Sequence, residues 1–187
     1  MNNDWDDLEE QARERIINNS PKCLNPFRIT RVDDPTGRSD IDLVTTWGIA
    51  CKCDNNIGQV LGYSLKDFNK SYNGPLQFVR PLHFECGKCG LVSLIIDEHG
   101  FNSEVAQIEG GIGSATYRGT GETSPFHCHM CEATSFEVMT SFIYSDGAFD
   151  LFVEAPELPP ENFFDLFEAR GKCIQCGKVN VIASFEG

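Results

Sequence analysis

Apolar residues at helical spacing open the chain. Trp5, Leu8, Ala12 and Ile16 recur three and four positions apart, Asp4 is placed to cap the segment with Asp7 behind it, and Ser20-Pro21 stops it. The pattern predicts an amphipathic helix over residues 4–19, packed on a core edge or presented to a partner. The period then shortens to two. Phe27–Val32, Ile41–Cys51 and Val60–Leu65 read as strands, with a turn at Asp34-Pro35-Thr36-Gly37. Leu76–Phe84 reads as a strand in which Pro81 demands an edge or a bend, and Leu91–Asp97 as the clearest buried strand.

From His99 to Ser124 the pattern fades. Gly110, Gly111, Gly113, Gly119 and Gly121 crowd a stretch with few large apolar residues, which reads as a loop or linker. A phosphate-cradling loop is a weak alternative, because no Gly-Lys-Ser/Thr follows. Strands resume at Ser135–Tyr144 and Ala148–Val153, with Asp146-Gly147 as a hairpin turn between them. Pro156, Pro159 and Pro160 break the chain, Glu161–Phe167 reads as a short helix, and Lys178–Phe185 as a closing strand.

Cysteine spacing changes the picture most. Cys86-Gly87-Lys88-Cys89-Gly90 precedes the apolar run Leu91–Ile96, and Cys173-Ile174-Gln175-Cys176-Gly177 precedes Val179–Ala183. Each has a cysteine pair upstream, Cys51/Cys53 and Cys128/Cys131, so the order suggests a degenerate duplication. A Cys-x-x-Cys turn brings two sulfurs together beside backbone N–H groups, and two such turns complete a tetrahedral site for a divalent metal. A trailing glycine lets the chain leave the turn with positive φ. The expected ligand sets are Cys51, Cys53, Cys86 and Cys89 for one ion and Cys128, Cys131, Cys173 and Cys176 for a second. A crossed pairing stays open, because the pairs are far apart in sequence and Cys51-Lys52-Cys53 is one residue short. His127 and His129, bracketing Cys128, are alternative ligands or donors to the sulfurs. His83 and His99 read as ordinary surface or core histidines. Cys23 has no neighbouring cysteine and reads as a small core residue.

These turns resemble the zinc-ribbon and rubredoxin-like knuckle class, on Cys86–Gly90, Cys173–Gly177 and Cys128-His129-Met130-Cys131. The resemblance covers about half the chain and omits the N-terminal helix and the glycine-rich middle. It implies a mostly-β (α+β) protein with a short N-terminal helix and two zinc-ribbon-like β units. The expected organisation is an N-terminal helix and linker at 1–24, a first zinc-bound β unit at 25–109, a Gly-rich linker at 110–124 and a second zinc-bound unit at 125–187. Two Zn²⁺ ions are expected, with iron as the alternative.

Charge narrows the function. The 187 residues carry 15 Lys and Arg against 28 Asp and Glu, a formal charge of −13. Two four-thiolate zinc sites would take it to about −17. That field repels phosphate backbones and favours a protein partner, a basic one being the natural match, although solubility alone also explains it. The acidic N-terminus has neither the basic start nor the apolar core of a secretory signal, and clustered cysteines in a reducing compartment point to metal, so the expected location is cytoplasmic. Membrane association is not expected. Closed four-cysteine sites leave no open metal position, and neither His-Glu-x-x-His nor Gly-x-Ser-x-Gly occurs, so catalysis is disfavoured. Asp97-Glu98-His99 offers acid–base groups but reads as strand-end charge. The leading expectation is a non-catalytic, zinc-stabilised acidic protein-binding protein of adaptor or inhibitor/immunity-like type. Alternatives are nucleic-acid binding through Arg28, Arg31, Arg80, Lys88, Arg118 and Lys178, and a rubredoxin-like or dithiol redox role.

Overall fold

A computed structural model of the chain describes residues 3–33, 43–97, 121–145 and 163–186, together with Gly119, Gly147, Asp150, Val153 and Ala155. Helix α1 (Asn3–Asn18) starts one residue before the expected cap and buries Ala12 and Ile16 against the core, while Leu8 on the same flank stays exposed. A 3₁₀ turn at Lys22–Leu24 leads into the strands. These are β1 (Arg28–Val32), β2 (Leu43–Ala50), β3 (Ile57–Ser64), β4 (Phe78–Cys86), β5 (Val92–Ile96), β6 (Ser124–Pro125), β7 (Phe136–Tyr144), β8 (Leu166–Cys173) and β9 (Val179–Glu186). A four-residue helix, α2 (Leu65–Phe68), follows β3, its start capped by the Ser64 side chain, which accepts from the Lys66 N–H.

Among the described residues these nine strands join one antiparallel sheet. Its organising strand is β7. Along one edge it pairs with β8 from Phe136↔Cys173 to Ile143↔Leu166, and β9 continues outward. Along the other edge it has two partners in succession: β2 takes Met139–Tyr144 and β3 takes Phe136 and Glu137. From β2 the sheet continues to β1, and from β3 to β4 and β5. The branch makes the sheet curl, and Arg80 of β4 lies over the Phe185 ring of β9, 4.9 Å from its centroid. Pro81 lies within an inner strand, and the β3–β4 register shifts opposite it, between Leu61 and Tyr63, as expected where a ladder N–H is missing.

Phenylalanine fills the interior of the curl. Phe126 meets Phe78 and Phe136 edge-on at 5.4 and 5.7 Å, and Phe142 meets Phe164 and Phe167 edge-on at 5.5 and 5.3 Å. On the other face of β7 a polar row is buried instead: Thr46 Oγ1 lies 2.9 Å from Ser141 Oγ, Arg170 donates to Ser141 Oγ at 3.0 Å, and Glu168 lies 3.1 Å from Arg170 Nε. Both faces of β7 are therefore covered.

Three expectations change. Gly147, Asp150 and Val153 have helical backbone, against the strand expected over Ala148–Val153, whose other residues lie outside the described ones, and β8 pairs with β7 along Phe136–Ile143. The short helix over Glu161–Phe167 is also overturned: Phe163–Asp165 are not helical and Leu166 opens β8, while Glu161 and Asn162 lie outside the described residues. Phe163, Phe164 and Phe167 share a helix-like spacing, but Phe167 buries by pairing opposite Phe142 and Phe185 in the sheet. Finally, β5 is a strand but not a fully buried one: Ile95 and Ile96 are buried, and Val92 and Leu94 are exposed. Most of the glycine-rich middle lies outside the described residues.

Gly58 and Gly171 are two of the glycines at close-packed positions. A Cβ at Gly58 would stand 2.3 Å from the Glu85 carbonyl oxygen and 2.5 Å from the Phe84 ring. A Cβ at Gly171 would stand 2.8 Å from Ile182 and 3.0 Å from Phe136. Gly58→Ala should therefore lower stability by about 1–3 kcal/mol, because its closest neighbour is backbone that cannot rotate away. Gly171→Ala meets only side chains and should cost less. Denaturant midpoints of the two variants check that order; equal or negligible losses would contradict the packing described.

Candidate metal centres

Four chain reversals of one construction carry the eight paired cysteines. At Cys86 the N–H donates to the Leu91 carbonyl at 3.0 Å, and the Gly90 N–H returns to the Cys86 carbonyl at 2.9 Å. Cys173 repeats this with Lys178 and Gly177, each at 2.9 Å. Cys128 repeats it with Ala133 and Glu132 at 2.9 and 3.0 Å, and Cys51 with Asn55 and Asp54 at 2.8 and 2.9 Å. In every case the residue after the second cysteine has positive φ: 71° at Gly90, 73° at Gly177, 60° at Glu132 and 66° at Asp54. The missing residue between Cys51 and Cys53 shortens the turn without altering its exit. Glycine marks two exits in the sequence; Asp54 and Glu132 adopt a conformation that ordinary side chains avoid, at a cost of about 1–2 kcal/mol each.

The sheet then sets the turns against each other in pairs. Gly58 opposite Cys86 in β3–β4 brings the Cys51/Cys53 turn onto the Cys86/Cys89 turn. Phe136 opposite Cys173 in β7–β8 brings Cys128/Cys131 onto Cys173/Cys176. The resulting clusters are Cys51, Cys53, Cys86 and Cys89, and Cys128, Cys131, Cys173 and Cys176, each with its sulfurs all within 4.8 Å of one another. Between turns, Cys51–Cys89 and Cys53–Cys86 approach to 3.6 Å, Cys128–Cys176 to 3.6 Å and Cys131–Cys173 to 3.5 Å. A tetrahedral ZnS₄ unit with bonds of about 2.3 Å separates its sulfurs by about 3.8 Å, so both clusters have dimensions that can hold a metal ion. None of the eight is disulfide-bonded.

Backbone and amide donors surround the buried sulfurs. Burial raises the Cys86 thiol pKa, but the N–H groups of Cys89 and Lys88, the Asn55 amide and the Cys53 thiol outweigh it and bring the value down to about 6. At Cys128 burial again acts upward, and the N–H groups of Met130 and Cys131, the Cys176 thiol and the Asn180 amide bring it down to about 6. At Cys131 the Ala133 N–H acts downward, while burial and hydrogen bonds to Cys173, Cys176 and Cys128 push the value up to about 12. Cys86 is thus lowered while Cys89 is raised, and Cys128 is lowered while Cys131 and Cys176 are raised, a contrast that a bound dication would reduce.

Asn55 donates to Cys86 Sγ at 3.3 Å and Asn180 to Cys128 Sγ at 3.6 Å. Neither was singled out by the sequence, in which an isolated asparagine carries no signal. Asn180 is the more constrained: buried, it also donates to the Lys178 and Gly171 carbonyls at 3.0 and 3.4 Å and accepts the His129 N–H at 3.0 Å. The histidines turn elsewhere. His127 Nδ1 lies 3.1 Å from the Glu132 carbonyl oxygen, and His129 Nε2 lies 3.1 Å from that of Leu76. Among the described residues both clusters consist of cysteine alone. Cys23 packs half-buried against the core, away from both. Glu98, His99 and Arg118 lie outside the described residues. No protein-family model, curated protein or solved structure matches the chain.

Asn180→Ala should cost about 2–3 kcal/mol, because it strips a sulfur, two carbonyls and an N–H of a buried partner. Asn55→Ala, at a half-buried position, should cost less. Thermal melts of the two variants give the comparison, and an unchanged Asn180→Ala melt would remove that residue from the support of the centre.

Proposed function

We propose that each cluster binds one structural Zn²⁺ and that the chain is a non-catalytic, acidic protein-binding protein. The observation that carries this is the gathering of four sulfurs within 4.8 Å of one another in each cluster, which can supply all four corners of a tetrahedral ion and would leave no position for substrate or water. Zinc suits a thiolate-only tetrahedral cluster, and its binding adds an apparent ~10–16 kcal/mol in finger peptides, comparable with or above the whole stability of a domain. The matching construction of the turns also supports a duplicated ancestry for the two units.

The surface supports a protein partner. Beside the second centre Met130, Ile174 and Val179 are 70%, 45% and 45% exposed, and after the first centre Leu91 and Val92 are each 48% exposed. Apolar tips beside rigid metal centres are surfaces that a partner buries, and a chain of charge −13 selects a basic one. Among the described residues no helix is long and apolar enough to cross a membrane.

Elemental analysis of purified protein should give about two zinc ions per chain, and complete chelation should abolish cooperative unfolding; a metal-free chain that still melts cooperatively contradicts the structural role. Acid should act the same way. Protons and metal compete for the thiolates, so a group depressed from 9.0 to about 6 favours the folded, loaded state at higher pH, and that contribution is lost as pH falls through the lower value. Zinc occupancy should therefore decline on acidification, and occupancy indifferent to pH would contradict thiolate ligation. For binding, Met130→Glu with Ile174→Glu should lose a partner that the parent retains at low salt and releases at high salt. Retention of the same partner by the variant would place the interface elsewhere.

A further inference from the structure

We infer that the two metal centres load as one coupled unit, because the strands held by each centre complete the sheet of the other. The inference rests on the metal-binding reading above and adds a property to it.

The argument is one of register. Count from the equivalent turns. Gly58 lies five residues beyond Cys53 and pairs with Cys86; Phe136 lies five residues beyond Cys131 and pairs with Cys173. One residue before each, Ile57 accepts from the Gly87 N–H at 3.0 Å and Ser135 from the Ile174 N–H at 3.1 Å. The units therefore superpose in register within themselves, and they also meet each other at equivalent points, since Gly58 pairs with Phe136 where β3 touches β7. On either side of that contact each unit gives a strand to the other. Gly48, three residues before Cys51, pairs with Met139, three beyond Phe136. Pro125, three residues before Cys128, pairs with Leu61, three beyond Gly58. Trp47↔Thr140 and Gly62↔Ser124 continue the same correspondence. This is the geometry of a strand-exchanged pair about a pseudo-twofold axis, joined into one chain.

Packing on the axis follows the same rule with the sizes reversed. In the first unit the Phe84 ring lies over Gly58; in the second, at the equivalent places, the Phe136 ring lies against Gly171. Each diagonal holds one aromatic ring and one glycine, and the ring has moved from β4 in the first unit to β7 in the second.

Coupling follows from what each centre holds. The first fixes the end of β2 and the start of β3, the two strands that cover one edge of β7. β7 in turn leaves the Cys128/Cys131 turn of the second centre, whose approach strand β6 lies on β3. Releasing the metal from one centre frees the strands against which the other is assembled, so the first ion organises the site for the second, and the effect is reciprocal.

Native mass spectrometry of the full-length chain during zinc titration of the reduced apoprotein tests this directly. Independent equal sites put about half the chains in the one-zinc form at half saturation, and a tenfold coupling lowers that fraction to about a quarter. The expectation is a quarter or less, with apo and two-zinc species dominating. A one-zinc fraction of half or more overturns the coupling and leaves the metal reading intact, whereas a chain that takes up no zinc overturns both. A second arm uses Cys173→Ser with Cys176→Ser: competition against a chromophoric chelator should show the intact centre weakened tenfold or more. Affinity within twofold of the parent would overturn the coupling.

Discussion

Eight sulfurs gathered four by four, each group within 4.8 Å, are the constraint on which the structure depends. Two thiolates in contact repel, and thiols alone have little reason to converge. The high value at Cys131 beside the low one at Cys128 shows that tension within a single cluster. A dication would resolve it, and three of the four turns aim backbone N–H groups at a sulfur: those of Cys89 and Lys88 at Cys86, of Met130 and Cys131 at Cys128, and of Lys178 at Cys176.

From that constraint the sheet acquires its shape. Metal ligation at the four turns would add to the apolar interior that the single sheet encloses. Here each turn ends one strand and begins the next, so fixing the turns fixes which strands emerge side by side. The curl of the sheet, the phenylalanine interior and the shared strand β7 follow. The interior is continuous from Ile95 and Phe84 through Phe126 and Phe136 to Phe142 and Phe167, with no break between the units.

Local chemistry was legible in the sequence and non-local register was not. The spacing of Cys86/Cys89 and Cys173/Cys176, each with its glycine, announces the turns, and alternating residues announce β2, β4, β7 and β9. Asp54 and Glu132 hide the same turn conformation under residue types that do not advertise it. Ala148–Val153 is a short apolar run of the kind that periodicity cannot assign, and Asp146-Gly147 favoured the wrong choice. Glu161–Phe167 carries phenylalanines at spacing that suits a helix face, yet the sheet partner available to Phe167 decided the outcome. The pairing of β2 and β3 with β7 leaves no local trace, because it joins residues about 80–100 positions apart in the chain. Asn180 is legible only once the fold places it beneath Cys128.

X-ray absorption at the zinc edge on purified protein tests the central claim most directly. The account predicts a single shell of four sulfurs at about 2.3 Å, averaged over two equivalent centres. A shell containing nitrogen or oxygen, or a protein whose cysteines are instead joined as disulfides with no bound metal, would contradict it.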